Sequence, residues 1–138
     1  MSENQTITVV DGIKVGHAHN REAITGVTVL LCEGGAIGGV DVRGTATGTR
    51  ELDPLNPTHL VDKLYGICLA GGSAFGLDAA GGVMRYLEEK KIGFPVGPTW
   101  VPIVPSAILF DLNIGDHRVR PDPEMGYRAC EAAASSPV

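Results

Sequence analysis

The segment Gly71-Gly72-Ser73-Ala74-Phe75-Gly76 is where this chain could most directly do chemistry. A short apolar stretch runs into two glycines and then a serine that opens a helical pattern. Free N–H groups at such a start, aided by the helix dipole, can hold an anion or an oxyanion. The segment matches the nucleophile elbow G-x-S-x-G only in part, because Phe75 stands two places after the serine where the motif needs glycine. Three readings of Ser73 stay open, in falling order of preference: a helix cap, a substrate-lining residue, a nucleophile.

Other reactive side chains are scattered. His17 and His19 could present two imidazoles on one side of a strand, as a metal site would. No cysteine or acidic residue stands nearby at ligand spacing, so they read as polar loop histidines and no metal is expected. Arg43, Arg50, Glu51 and Asp53 crowd one loop. They could grip a substrate amine or carboxylate through charge-assisted hydrogen bonds, or simply hold the loop by their own ion pairs. A Ser73–Asp111–His117 triad would follow the chain order of α/β-hydrolases. Few residues separate Asp111 from His117 and the chain is short for that fold, so this is the least favoured reading.

The elements that must position these groups follow from the hydrophobic pattern. Ile7 to Val10 and Ile13 to Val15 read as two strands around the hairpin dipeptide Asp11-Gly12. Gly26 to Cys32 is a β-branched run suited to a buried strand, Glu33-Gly34-Gly35 a turn, and Ala36 to Arg43 a partner strand. Gly44 to Asp53 reads as a loop. Asn56-Pro57 signals a short helix to about Tyr65, and Gly66 to Ala70 a strand that enters the Gly-Gly-Ser turn. The next helix carries Leu77, Ala80, Met84 and Leu87 on one stripe, with Lys90 and Lys91 in its last turn and Gly93 as its stop. Gly76, Gly81 and Gly82 inside it imply close packing, since each costs roughly 1 kcal/mol against alanine. Phe94 to Pro105, with four prolines, reads as an extended surface loop. Ala107 to Leu112 is a strand, and Asp122-Pro123-Glu124 starts a last helix. The pattern gives an α/β (α+β) fold of roughly six strands and three helices. There is no internal repeat or domain boundary, so residues 1–138 read as one portion of a single domain.

Composition narrows the function classes. The net charge is −5 and there is no basic run. That argues against nucleic acid and against an anionic membrane as partners. Nineteen glycines against seven aromatic residues favour sites built from main chain. Cys32, Cys68 and Cys130, with wide spacing and apolar neighbours, fit reduced buried thiols in a cytoplasmic protein. No signal peptide is read at Met1 and no stretch is long enough to span a membrane.

Several stretches together resemble one family: Val10-Asp-Gly-Ile-Lys-Val-Gly-His17, Thr25-Gly-Val-Thr-Val29, Gly39-Val-Asp-Val-Arg-Gly44, Gly48-Thr-Arg-Glu51, Leu69-Ala-Gly-Gly-Ser-Ala-Phe-Gly-Leu-Asp78, Val101-Pro-Ile-Val-Pro105, Leu109-Phe-Asp111, and Arg120-Pro-Asp122 with Gly126-Tyr127. Their order and spacing are similar to those of the DmpA/P1 aminopeptidases, peptidase family S58. The resemblance implies part of a four-layer αββα sandwich like that of N-terminal-nucleophile hydrolases. It implies a precursor that cuts itself before a Ser or Thr, which becomes the N-terminal nucleophile and uses its own α-amine as base. Substrates would be small peptides or amides with a free amino end; no cofactor is needed and the active form is a homo-oligomer.

On that resemblance the nucleophile lies beyond residue 138, in a C-terminal (β) chain of the same precursor. No catalytic residue is then expected within this chain, which would be inactive alone. Some members carry a tyrosine in the strand matching Ile108-Leu-Phe-Asp111, where Phe110 stands here. Phe110 and the Gly71-Gly72-Ser73 turn are the residues expected to line the substrate pocket. Two alternatives stay open: a standalone domain that binds a small anion at the Gly71-Gly72-Ser73 helix start, and a structural remnant without activity.

Overall fold

The computed structural model describes residues 6–137. Its elements in chain order are β1 (Lys14–Asn20), β2 (Thr25–Ala36), β3 (Thr49–Arg50), β4 (Leu64–Ala70), α1 (Ala79–Glu89), β5 (Phe94–Pro95), β6 (Trp100–Val101), β7 (Ser106–Ile108) and α2 (Pro123–Glu131). One mixed sheet has the strand order β1-β2-β4-β7-β3, and β5 and β6 form a separate small ribbon. β1, β2 and β4 pair antiparallel; β4 and β7 run parallel, and β3 closes the far edge antiparallel to β7.

The β-branched run in β2 explains the centre of this sheet. Val27, Val29 and Leu31 alternate onto one face, as a two-residue period requires, and are buried with Cys68 and Ala70 of β4. α1 and α2 cover that face through Ala80, Val83, Leu87, Met125 and Ala129. The helices approach closely because glycines face the contact. A Cβ on Gly82 would collide with the Pro123 carbonyl and one on Gly126 with the Ala79 carbonyl. Gly81, by contrast, has only Pro123 Cγ near it, at 3.9 Å, so the close packing expected of the helix glycines holds for Gly82 and not for Gly81. α2 begins where Asp122 Oδ1 accepts from Met125 N at 2.8 Å, with Pro123 in the first turn, a side-chain cap of the expected kind.

Among the described residues, no helix covers the opposite face. Register places His17, Thr28, Leu69, Ala107 and Thr49 in one row across five strands, with Leu30 and Ile67 in the next row. Leu69 is 43% exposed there. The α/β class is therefore present as one helical layer on one sheet, with the second sheet face open over much of its area. A smaller cluster of Cys32, Leu64 and Ile103 closes one end.

Several expectations need correction. Ile7–Val9 is a 3-10 turn rather than a strand, held by Thr8 Oγ1 donating to the Ser136 carbonyl. Glu33-Gly34-Gly35 does not turn the chain: β2 runs on to Ala36 through a register shift, with Gly35 at φ +77°. Residues 37–43 form no strand. Asn56-Pro57 starts no helix, because Asn56 Oδ1 accepts from Thr58 N and Thr58 Oγ1, an Asx turn that spends the capping oxygen two residues on. Residues 102–106 are buried rather than superficial, because Tyr65 N donates to the Ile103 carbonyl and Cys68 N to the Pro105 carbonyl. Among the described residues, no helix is long and apolar enough to cross a membrane.

Candidate functional site

The Gly71-Gly72-Ser73 turn lies where β4 ends, next to the end of β7 and the start of β2. Two consecutive residues take left-handed backbone, Gly72 at φ +79° and Ser73 at φ +54°. Glycine does this freely; serine does so only under constraint. Ser73 opens a 3-10 turn to Asp78, and α1 follows from Ala79. Gly72 occupies the cap position and no side chain caps that turn, so the expected capping role of Ser73 is not what its geometry provides.

Main-chain and carboxylate groups already occupy the amides here. Gly71 N donates to the Gly26 carbonyl at 2.9 Å and Ser73 N to the Leu109 carbonyl at 3.0 Å. Gly72 N donates to Asp111 Oδ1 at 2.7 Å, while Thr25 Oγ1 donates to Asp111 Oδ2 at 2.8 Å. These three N–H groups are therefore not free for an anion, and the anion-binding alternative loses its expected donors. Gly71 and Gly76 both need to be glycine: a Cβ at Gly71 would strike Asp111, and one at Gly76 would strike the Gly71 carbonyl.

Around the turn, Phe110 is 64% exposed and Phe75 57% exposed. The Arg120 guanidinium lies 3.7 Å from the Phe75 ring centroid, a cation–π contact, and its Nε donates to the His117 carbonyl. A hollow of about 540 Å³ is lined by Ile24, Thr25, Gly71, Leu109 and Asp111, with His19 at its rim. Two further clefts lie elsewhere. One of about 1080 Å³ is walled by the exposed loops 37–42 and 49–62, and one of about 400 Å³ lies over Ile67, Leu69 and Ala107 on the helix-free face.

The other candidates are separated. Arg50 donates toward the Leu77 carbonyl and Met84 Sδ, whereas Glu51 accepts from Val104 N at 2.9 Å. Arg43 pairs with Asp41 in an exposed bridge. Arg50 and Glu51 thus fasten their loop to neighbouring segments by hydrogen bonds, not to each other by ion pairs. His17 and His19 do share a face of β1, but Nδ1 of His17 meets Thr28 Oγ1 and Nε2 of His19 accepts from Arg21. Among the described residues no cluster of three or more His, Cys, Asp or Glu could hold a metal ion. Asp111 accepts from Gly72 N and the Thr25 hydroxyl rather than from His117. The pairing of Thr25 with Asp111 spans 86 residues of sequence, and no local signal announces it.

The family model described as peptidase family S58 matches residues 5–138. The chain belongs to peptidase family S58. It is 47% identical over 141 residues to an uncharacterised aminopeptidase of Mycobacterium leprae (strain TN), covering 96% of this chain and 39% of that protein. It is 36% identical over 122 residues to a 6-aminohexanoate-oligomer endohydrolase of Kocuria sp. (strain KY2), covering 88% of this chain and 32% of that one. The S58 chain thus spans well under half the length of these relatives. Among solved structures it is similar to the L-aminopeptidase D-Ala-esterase/amidase of Ochrobactrum anthropi, with a TM-score of 0.75 and 16% identity over 96% of this chain and 40% of that one. A Burkholderia sp. β-aminopeptidase matches with a TM-score of 0.68 and 23% identity, over 99% and 40%. The O. anthropi structure is described as a variant of the Ntn hydrolase fold. The S58 chain has that fold class, and its helix layer and sheet correspond to part of the αββα sandwich.

Proposed function

We propose that this chain is the α portion of a self-processing aminopeptidase or amidohydrolase that cleaves amide bonds of small peptides with a free amino end. The nucleophile is an N-terminal Ser or Thr, supplied by polypeptide beyond residue 138 and created when the precursor cuts itself. Its hydroxyl oxygen attacks the amide carbon while its own α-amine takes the proton. The proton passes to the leaving amine, and water then hydrolyses the ester. In this reading the present chain supplies a wall of the pocket through Gly71, Gly72, Ser73 and Phe110, and no catalytic group of its own.

The observation that carries the reading is the helix-free face of the sheet in a chain of this family. A row running from His17 through Leu69 to Thr49 is an apolar-centred surface that a sheet buries against a second layer. The C-terminal (β) chain of the same precursor is the natural second layer. The aminopeptidase and oligomer-endohydrolase names of the relatives both describe amide cleavage. Three buried free thiols favour a reducing, cytoplasmic setting. We further propose a homo-oligomer that needs no cofactor and engages neither nucleic acid nor membrane.

Mass spectrometry of the full-length product tests this. Two chains from one precursor are expected, the second beginning at Ser or Thr, and replacing that residue by Ala should leave a single uncut mass. An intact wild-type mass together with no amidase activity would count decisively against the proposal.

A further inference from the structure

We infer that Asp111 is a positioning residue, whose carboxylate clamps the Gly71-Gly72-Ser73 turn in its left-handed form and so presents that turn and Phe110 to the substrate in one geometry. The inference rests on the function proposed above and assigns a group within that site.

Three segments meet at this carboxylate. The ends of β4 and β7 are zipped together by Leu109 N donating to the Ala70 carbonyl at 2.8 Å and Ser73 N donating to the Leu109 carbonyl at 3.0 Å. The start of β2 is tied to the same turn by Gly71 N and the Gly26 carbonyl. Asp111 closes the junction with one oxygen on Gly72 N, at 2.7 Å, and the other on the Thr25 hydroxyl, at 2.8 Å. Hydrogen bonds to a carboxylate are the short, strong class. They act where constraint is needed: Ser73 holds φ +54°, a conformation that is unfavourable for a non-glycine residue and persists only when surroundings enforce it. Gly71 carries no side chain, and any Cβ there would displace the carboxylate. Phe110 adjoins Asp111 in the chain, so holding residue 111 also restricts the backbone that carries that exposed ring.

Small displacements at a reacting centre have large rate effects, about a hundredfold for 1 Å. The processed full-length enzyme and an alanine p-nitroanilide provide the assay. Asp111→Ala should lower kcat/KM about tenfold or more, and Asp111→Asn, which keeps an acceptor for Gly72 N, should stay within about threefold of wild type. Ser73→Gly supplies the decisive readout. Glycine adopts the left-handed form without a clamp, so the loss caused by Asp111→Ala should shrink to about threefold or less in the Ser73→Gly background. Equal losses in both backgrounds overturn the inference, as does a loss in Asp111→Asn as deep as in Asp111→Ala. Where Asp111→Ala does not accumulate as processed enzyme, Thr25→Val removes one arm of the clamp and should lower kcat/KM about threefold or more; an unchanged value overturns the inference. A wild-type enzyme that hydrolyses no amide sinks the proposed function and this role together, whereas an active wild type with unchanged variants sinks this role alone.

Discussion

Cys68 faces the helices from β4, and Cys130 meets it from α2 in the same buried cluster. Burial pushes the Cys68 thiol up from the ordinary 9.0 to about 11, with the Arg50 charge opposing, and pushes Cys130 up to about 12. Neither thiol should react with an aromatic disulfide reagent at pH 8 in the native protein, because the thiolate is the nucleophile; both should react after unfolding. A raised folded value means that the unfolded chain loses its proton first. The stabilising contribution is therefore complete below pH 9 and is lost as pH climbs through 11 and 12. Tyr127 adds in the same direction, its hydroxyl pushed up to about 12 chiefly by donating to Glu89. The urea midpoint should hold level up to pH 9 and decline above it, and a Cys68→Ala, Cys130→Ala double variant should show a shallower decline. A midpoint that rises above pH 9 would refute this account.

At the scale of elements, the helix pair offers a paired test of why glycine stands where it does. Gly81→Ala meets open space beyond Pro123 Cγ at 3.9 Å and should stabilise the protein by about 0.5–1 kcal/mol, since alanine loses less backbone entropy. Gly82→Ala places a methyl against the Pro123 carbonyl and within 2.8 Å of Tyr127 N, and should destabilise by about 1–3 kcal/mol through forced separation of α1 and α2. Denaturant midpoints of the two variants should move in opposite directions. The same pair shows how far the sequence could be read. Periodicity locates α1, and the Asp122-Pro123 start locates α2, legible because the Asp122 oxygen is used within its own turn. The long runs in β2 and β4 were visible for the same reason of local pattern. Asn56 carried an equally good helix signal, yet its oxygen serves Thr58, and local composition does not distinguish those two fates. Residues 102–106 are extended as their prolines require, but their burial depends on Tyr65 and Cys68, which are distant in sequence. The site followed the same division. The turn at Gly71-Gly72-Ser73 was legible from its glycines, whereas the occupation of its N–H groups by Gly26, Leu109 and Asp111 arises only from tertiary contact.

For the whole molecule, Leu69 and the row around it are decisive. The helix-facing positions of β4, Cys68 and Ala70, are buried, whereas Leu69 between them is 43% exposed. Its register partners Thr28 and Ala107 are only half-buried. In the proposed full-length enzyme a second sheet covers this row, so Leu69 passes from surface to core. Leu69→Lys then tests the assembly directly. In the present 138-residue chain the lysine stays in water, and such surface changes alter stability by no more than about 0.5 kcal/mol. In the full-length precursor the same lysine carries a charge into an apolar interface without a partner, a substitution that destabilises strongly. Processing should fail or slow, and any processed enzyme should unfold at a lower temperature than wild type, while Leu69→Met, close in volume, should behave as wild type. Chain masses and thermal melts of the two full-length variants provide the measurement. A Leu69→Lys precursor that matures and melts as the wild type does would mean that nothing covers this face, and the half-sandwich reading of the chain would fall with it.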